Sequence, residues 1–122
     1  MIAKLNAANA DAPILVEGER DVAALRELGF EGTILKLNKG DSIVGRADEL
    51  SQIYKKIILM TDWDDKGVQL HDSLKRLLVD SEVRAEDFFW LRLKKFCGNG
   101  CRAVEDLPRL ISALRDLTGK FS

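Results

Sequence analysis

The apolar positions of this chain alternate between two rhythms. Ile14-Leu15-Val16 is a short unbroken run ended by Glu17 and Gly18, the pattern of a strand buried on both faces. Val22, Leu25 and Leu28 then recur at helical spacing over 19–28, and Gly29 stands where a helix would stop. Thr33 to Leu37 predicts a second strand. Lys39-Gly40 breaks it, and Asp41 or Ser42 can cap a helix running to about Tyr54. Ile57-Ile58-Leu59-Met60, the most apolar stretch of the chain, predicts a third strand. It enters Thr61-Asp62-Trp63-Asp64-Asp65-Lys66-Gly67, followed by a helix from about Gly67 to Leu78 with Leu70, Leu74, Leu77 and Leu78 on one face. Phe88 to Leu93 predicts a fourth strand. A last helix over about 103–119 carries Val104, Leu107, Leu110, Ile111, Leu114 and Leu117 at helical spacing, as core packing or as a dimer surface.

Strands alternating with helices predict an α/β fold, a four-stranded, mainly parallel sheet with helices on both faces. At 122 residues the chain suits one Rossmann-like domain, 1–122, with a core of about 12–95 and the last helix packed on it. A 2-1-3-4 strand order sets the first and third strands side by side. Ligands in such sheets gather outside the carboxyl ends of the strands at that switch point. Glu17, Asn38-Lys39, Asp62 to Asp65 and Lys94-Lys95 all fall at expected strand ends.

Composition narrows the setting. The net charge of −1 gives no general basic footprint, so any grip on nucleic acid has to come from local Lys and Arg. No apolar run approaches the ~20 residues of a membrane helix, and Met1 to Asp11 lacks a signal-peptide core, so a cytoplasmic address without membrane partners is expected. Cys97 and Cys101 make at most half a metal site and are read as reduced structural thiols, with a bridge between them as the alternative.

Glu17, Asp62 and Asp64 need a reason. Residues i and i+2 of an extended chain share a face, so Asp62 and Asp64 can point together while Trp63 points away. Carboxylates crowded at one spot repel, so one keeps its proton or a cation binds. Magnesium is the natural occupant: it takes oxygen ligands, keeps waters, and commonly uses one or two carboxylates plus substrate phosphate. The bland alternative makes these acids helix caps or turn formers, although Glu is a poor cap.

Glu17-Gly18 closing a first strand, with Asp62-x-Asp64 and then Gly67 after a third, resembles the Toprim domain. That domain is shared by bacterial-type primases, type IA and type II topoisomerases, recombination proteins and small nucleases. Val16-Glu17-Gly18-Glu19-Arg20-Asp21-Val22 is similar to the primase form of the pattern, and Asn38-x-Gly40 to the turn in the nuclease that matures 5S ribosomal RNA. The likeness spans roughly Ile14 to Leu93. It implies Glu17 as general acid or base and Asp62 and Asp64 as holders of Mg2+, with Mn2+ as a substitute. Gly18, Gly40 and Gly67 would be turn glycines, and Asp21 and Asp65 would support the site or a second metal. The implied function is phosphodiester chemistry on RNA or DNA, by a small nuclease or by the catalytic subunit of a larger complex, with a protein partner or a second copy of the chain. Trp63 stands where many relatives have a small residue. It is expected to pack against the next helix rather than stack on a base.

Lys39, Lys66, Arg92, Lys94 and Lys95 are candidate phosphate contacts, or else a solvated surface. His71 is expected to be a surface or packing residue. The lone Tyr54, on a predicted helix, offers no topoisomerase nucleophile. The alternatives are a non-catalytic metal, nucleic-acid or protein binding module, and a receiver-like phospho-acceptor domain. The latter normally carries a fifth strand ending in Lys.

Overall fold

The computed structural model describes residues 1–37, 40, 42–98 and 100–118; Asn38, Lys39 and Asp41, singled out above, lie outside the described residues. Among the described residues the sheet has four strands, β1 (Ile14–Val16), β2 (Ile34–Lys36), β3 (Lys56–Leu59) and β4 (Arg84–Glu86), all parallel and in the order β2-β1-β3-β4. The helices are α1 (Ile2–Asn9), α2 (Glu19–Glu27), α3 (Ile43–Ile53), α4 (Asp65–Asp80), α5 (Phe88–Cys97) and α6 (Leu107–Thr118), with a 3-10 turn over Val104–Asp106. None is long and apolar enough to cross a membrane. The expected strand order therefore holds, and no fifth strand is present for a receiver domain among the described residues.

Alternation along the strands divides the core in two. Ile14, Val16, Ile58 and Met60 face one side, where Leu5, Leu25, Phe30, Trp90, Leu93, Val104 and Leu107 cover them. Leu15, Ile57 and Leu59 face the other, under Ala47, Leu50, Leu74 and Leu78 of α3 and α4. Burial on both faces is why β1 and β3 read as unbroken apolar runs. The start of α3 is where the sequence put it. The Ser42 hydroxyl accepts from the Gly45 amide at the start of α3, and Gly40 has φ +85°, a conformation that favours glycine.

The structure corrects the sequence reading in several places. Phe88 to Leu93 is not a strand but the first part of α5, and the fourth strand lies earlier, at Arg84–Glu86. Phe89, Trp90, Leu93 and Cys97 turn inward at helical spacing, and a short apolar run cannot tell helix from strand by itself. β4 is an edge strand paired only with β3, so it carries charged residues and no apolar signature. As a result Lys94 and Lys95 sit on the last turn of a helix, not beyond a strand end. The segment expected to be one helix over about 103–119 is a 3-10 turn followed by α6. The sequence reading did not anticipate α1, which buries only Leu5 and Asn9. Cys97 and Cys101, expected to be reduced, are joined as a disulfide, with Cα atoms 5.6 Å apart. Cys101 is buried in the core of this face.

His71 is a packing residue. Its ring stacks on Trp90 with centroids 3.8 Å apart and is hydrogen-bonded to Asp87 and Asp72 at 2.8 Å each. Burial alone would raise the Asp87 carboxyl, but hydrogen bonds and charge from Lys75 and His71 outweigh it and hold that carboxyl low.

Candidate functional site

β1 and β3 are neighbours, so the residues just after them meet at the carboxyl edge of the sheet. The Glu17 Oε2 accepts the backbone amide of Asp62 at 2.7 Å, a contact across 45 residues of sequence. Asp62 in turn accepts the Val104 amide on Oδ1 at 2.9 Å. Asp21, one turn into α2, accepts the amides of Gly18 and Glu105. Asp64 is the N-cap of α4, its Oδ1 accepting from the Gly67 amide at 2.7 Å. These backbone bonds fix one oxygen of Glu17, Asp62 and Asp64 and leave the other out of them.

Gly67 is what lets this turn close. A Cβ at that position would lie 2.1 Å from the Asp62 carbonyl oxygen and 2.5 Å from its carbon. The Gly67 carbonyl also accepts from the buried Thr61 hydroxyl at 2.9 Å. Trp63, between the two aspartates, is tied inward: its indole nitrogen donates to the Trp90 carbonyl at 3.1 Å and its amide donates to Arg102 at 2.6 Å. The Trp90 indole donates in turn to the Thr61 carbonyl. Packing, not base stacking, is therefore the use of Trp63.

The acids open into a cleft of about 680 Å³. Glu17, Gly18, Asp21, Asp62 and Glu105 line it, with Glu19, Arg20, Lys36 and Lys66 also on its walls. Lys66 is thus at the cleft, whereas Asp64, the exposed Asp65, Lys94 and Lys95 are outside its lining. The sequence reading missed Lys36, Arg20, Glu105 and the amides of 104–105. Lys36 had a signal, a cation on the second strand next to the switch point. The amides carry no side-chain signature.

Crowding shows in the electrostatics. Burial, followed by repulsion from Asp62 and Asp64, pushes the Glu17 carboxyl up to about 7 although the Asp62 amide favours its anion. Burial and then Asp62 raise Asp21 to about 6. Asp62 is also raised, mainly by burial, against the Val104 amide. Glu17 and Asp62 act on each other, so a change of charge on one shifts the titration of the other.

These shifts carry a sign. A carboxyl raised in the folded state holds a proton that the unfolded chain releases near its ordinary value of about 4. The resulting stabilisation is complete below that value and is lost as pH rises through 6 to 7. We therefore expect the metal-free protein to melt roughly a few degrees lower at pH 8 than at pH 5, the half-exposed site limiting the size. Glu17→Gln should flatten much of that slope in a thermal-melt series. An identical slope in the variant would refute this assignment.

The donor set is all oxygen, with no sulfur or imidazole, and its charge is uncompensated by any direct ion pair to Glu17, Asp62 or Asp21 among the described residues. Both points fit a hard divalent cation. Asp64 caps α4, and among the described residues no three acidic, His or Cys side chains, Glu17, Asp62 and Asp64 included, form a group that could hold a metal ion. Magnesium does not require three, since it keeps waters and takes substrate oxygens beside one or two carboxylates.

Comparison with known proteins gives a consistent picture. The Toprim domain pattern matches residues 12–88. UPF0292 protein TV1259 of Thermoplasma volcanium is 37% identical over 108 residues, covering 88% of this chain and 89% of that one. UPF0292 protein MJ1624 of Methanocaldococcus jannaschii is 35% identical over 104 residues, covering 80% and 76%. Among solved structures, an Aquifex aeolicus protein superposes with a TM-score of 0.73 at 28% identity, over 86% of this chain and 93% of that one. The Aquifex aeolicus primase, solved as its zinc-binding and RNA polymerase domains, superposes with a TM-score of 0.52 at 26% identity. That likeness covers 88% of this chain and 27% of the primase.

Proposed function

Because the chain belongs to the Toprim family, a family tied to metal-dependent chemistry on nucleic acid, we propose that it hydrolyses phosphodiester bonds of RNA or DNA with a divalent cation. The observation that carries this reading is the Glu17–Asp62 contact in the lining of the cleft. It holds a carboxyl with a pKa of about 7 beside a second carboxylate at the switch point of the sheet. A group poised near neutrality both takes and gives a proton efficiently.

Asp62, with Asp64 beside it, would hold magnesium, which when bound neutralises charge on the phosphate. Glu17 takes a proton from the water whose oxygen attacks phosphorus, and returns it to the leaving oxygen as the phosphorus–oxygen bond breaks. Lys36, Lys66 and Arg20, on the walls of the same cleft, hold the non-reacting phosphate oxygens. Asp21 acts by position: through Gly18 and Glu105 it ties α2 to the 3-10 turn behind the pair.

The test is cleavage of a mixed panel of labelled RNAs and DNAs, with Mg2+, with Mn2+ and with chelator. Products in the metal-containing arms alone support the reading. No product from any substrate in any arm rejects it. Asp62→Asn is expected to weaken Mg2+ binding about tenfold or more by titration calorimetry, since it removes the charge of the carboxylate proposed to hold the ion. Unchanged binding would move the metal away from this carboxylate.

A further inference from the structure

α5 has an outward face that the core does not use. Phe88, Leu91, Arg92 and Lys95 stand at i, i+3, i+4 and i+7, so they form one stripe along the helix. The opposite face buries Trp90 and Leu93. Phe88 is 52% exposed and Leu91 51%, and Arg92, Lys94 and Lys95 are exposed as well. Scattered exposed apolar residues are ordinary, but an aromatic and a leucine aligned with cations on one stripe are not scattered.

The charge on this helix has one sign. Residues 88–97 contain Arg92, Lys94 and Lys95 and no acid, in a chain whose net charge is −1. None of the three makes an ion pair among the described residues. The Arg92 guanidinium lies 5.6 Å from the centroid of the Phe88 ring, so a planar cation and an exposed ring stand together. Lys94 lies 5.4 Å from the Trp90 ring centroid. α5 is also fastened to the acidic turn, through the bond from the Trp63 indole to the Trp90 carbonyl.

We propose that the Phe88–Leu91–Arg92–Lys95 stripe of α5 binds single-stranded nucleic acid, stacking an unpaired base on Phe88 and holding backbone phosphates with Arg92 and Lys95. The proposal rests on the nucleic-acid reading above and gives the strand a second hold outside the cleft lining, on a helix fastened to the acidic turn. Aromatic rings among cations are the means by which proteins hold single strands without reading sequence. A duplex keeps its bases paired and offers Phe88 no free face. A protein partner is the poorer fit, since protein interfaces are depleted of lysine and this helix exposes two, Lys94 and Lys95.

Fluorescence anisotropy with short labelled single strands of oligo-dT and oligo-U, and a duplex of equal length, tests this on the full chain in chelator. Phe88→Ala should weaken single-strand binding roughly five- to hundredfold, the usual effect of removing one stacking ring. Arg92→Ala with Lys95→Ala should lower the slope of log affinity against log salt by about 1.4, two phosphate contacts at about 0.7 each. All three side chains are exposed, so thermal melts should match the parent and exclude misfolding. Unchanged affinity in both variants overturns the proposal, as it would if the stripe served a protein instead. So does a duplex bound as tightly as the single strands and weakened equally by Phe88→Ala. Absence of binding to any probe also overturns it. Chelator removes cleavage from the assay. Stripe-dependent binding without any metal-dependent cleavage therefore sinks the nuclease alone, and Glu17-dependent cleavage with unchanged binding in the variants sinks the stripe alone.

Discussion

Glu17→Gln is expected to lower metal-dependent cleavage about 10²- to 10⁴-fold, the usual range for loss of a general acid–base group. The substitution is isosteric. A glutamine carbonyl oxygen can still accept the Asp62 amide that Glu17 accepts at 2.7 Å, so the turn after β3 should keep its shape. What the variant loses is the carboxyl near pH 7 that trades a proton with the reacting oxygens. It also removes a repulsion with Asp62, so the metal-free variant should melt no lower than the parent at pH 8. Magnesium affinity should stay within a fewfold of the parent. Turnover measured with saturating Mg2+ decides the matter: a variant cutting at more than a tenth of the parent rate would leave Glu17 without a catalytic role.

Gly67→Ala is expected to destabilise the fold by about 3 kcal/mol or more, at the upper end of overpacking effects. The added carbon would meet backbone, the Asp62 carbonyl oxygen at 2.1 Å and its carbon at 2.5 Å, which cannot swing aside like the tip of a side chain. Relief requires α4 and the turn after β3 to part. That strains the Gly67 amide's bond to Asp64 and the Thr61 hydroxyl's bond to the Gly67 carbonyl. Denaturant unfolding followed by circular dichroism gives the stability. Mg2+ titration on the folded fraction should show weaker binding, since Asp62 moves with the strain. A variant as stable as the parent would mean that the turn is looser than its geometry.

The sequence made the centre of the fold legible because burial on both sheet faces leaves an unmistakable mark. Ile14-Leu15-Val16 and Ile57 to Met60 are unbroken apolar runs, and an acid directly after the first and one residue beyond the second is conspicuous. The edge was not legible. β4 is Arg84-Ala85-Glu86, three residues with water on one side and no hydrophobic pattern, so the louder run at Phe88 drew the strand assignment. Asp64 shows a different ambiguity. An Asp two residues after Asp62 fits both a metal ligand and a helix N-cap, and the structure uses it at least as the cap. Packing is the expectation for Trp63 because exposed stacking platforms normally come with basic neighbours, and its indole bond to the Trp90 carbonyl agrees. The reduced state expected of Cys97 and Cys101 fails because spacing alone does not tell whether a loop brings two thiols together.

The 3-10 turn at Val104–Asp106 bears on how small a working unit can be. A fragment ending at residue 88, where the Toprim pattern ends, would keep β1 to β4 together with Glu17, Asp62 and Asp64. It would nonetheless strip Asp62 of the Val104 amide and Asp21 of the Glu105 amide, and both carboxylates would face each other without those counterweights. Dissection at the homology boundary thus cuts through the acidic centre from behind, and the shortest competent piece has to reach past residue 105.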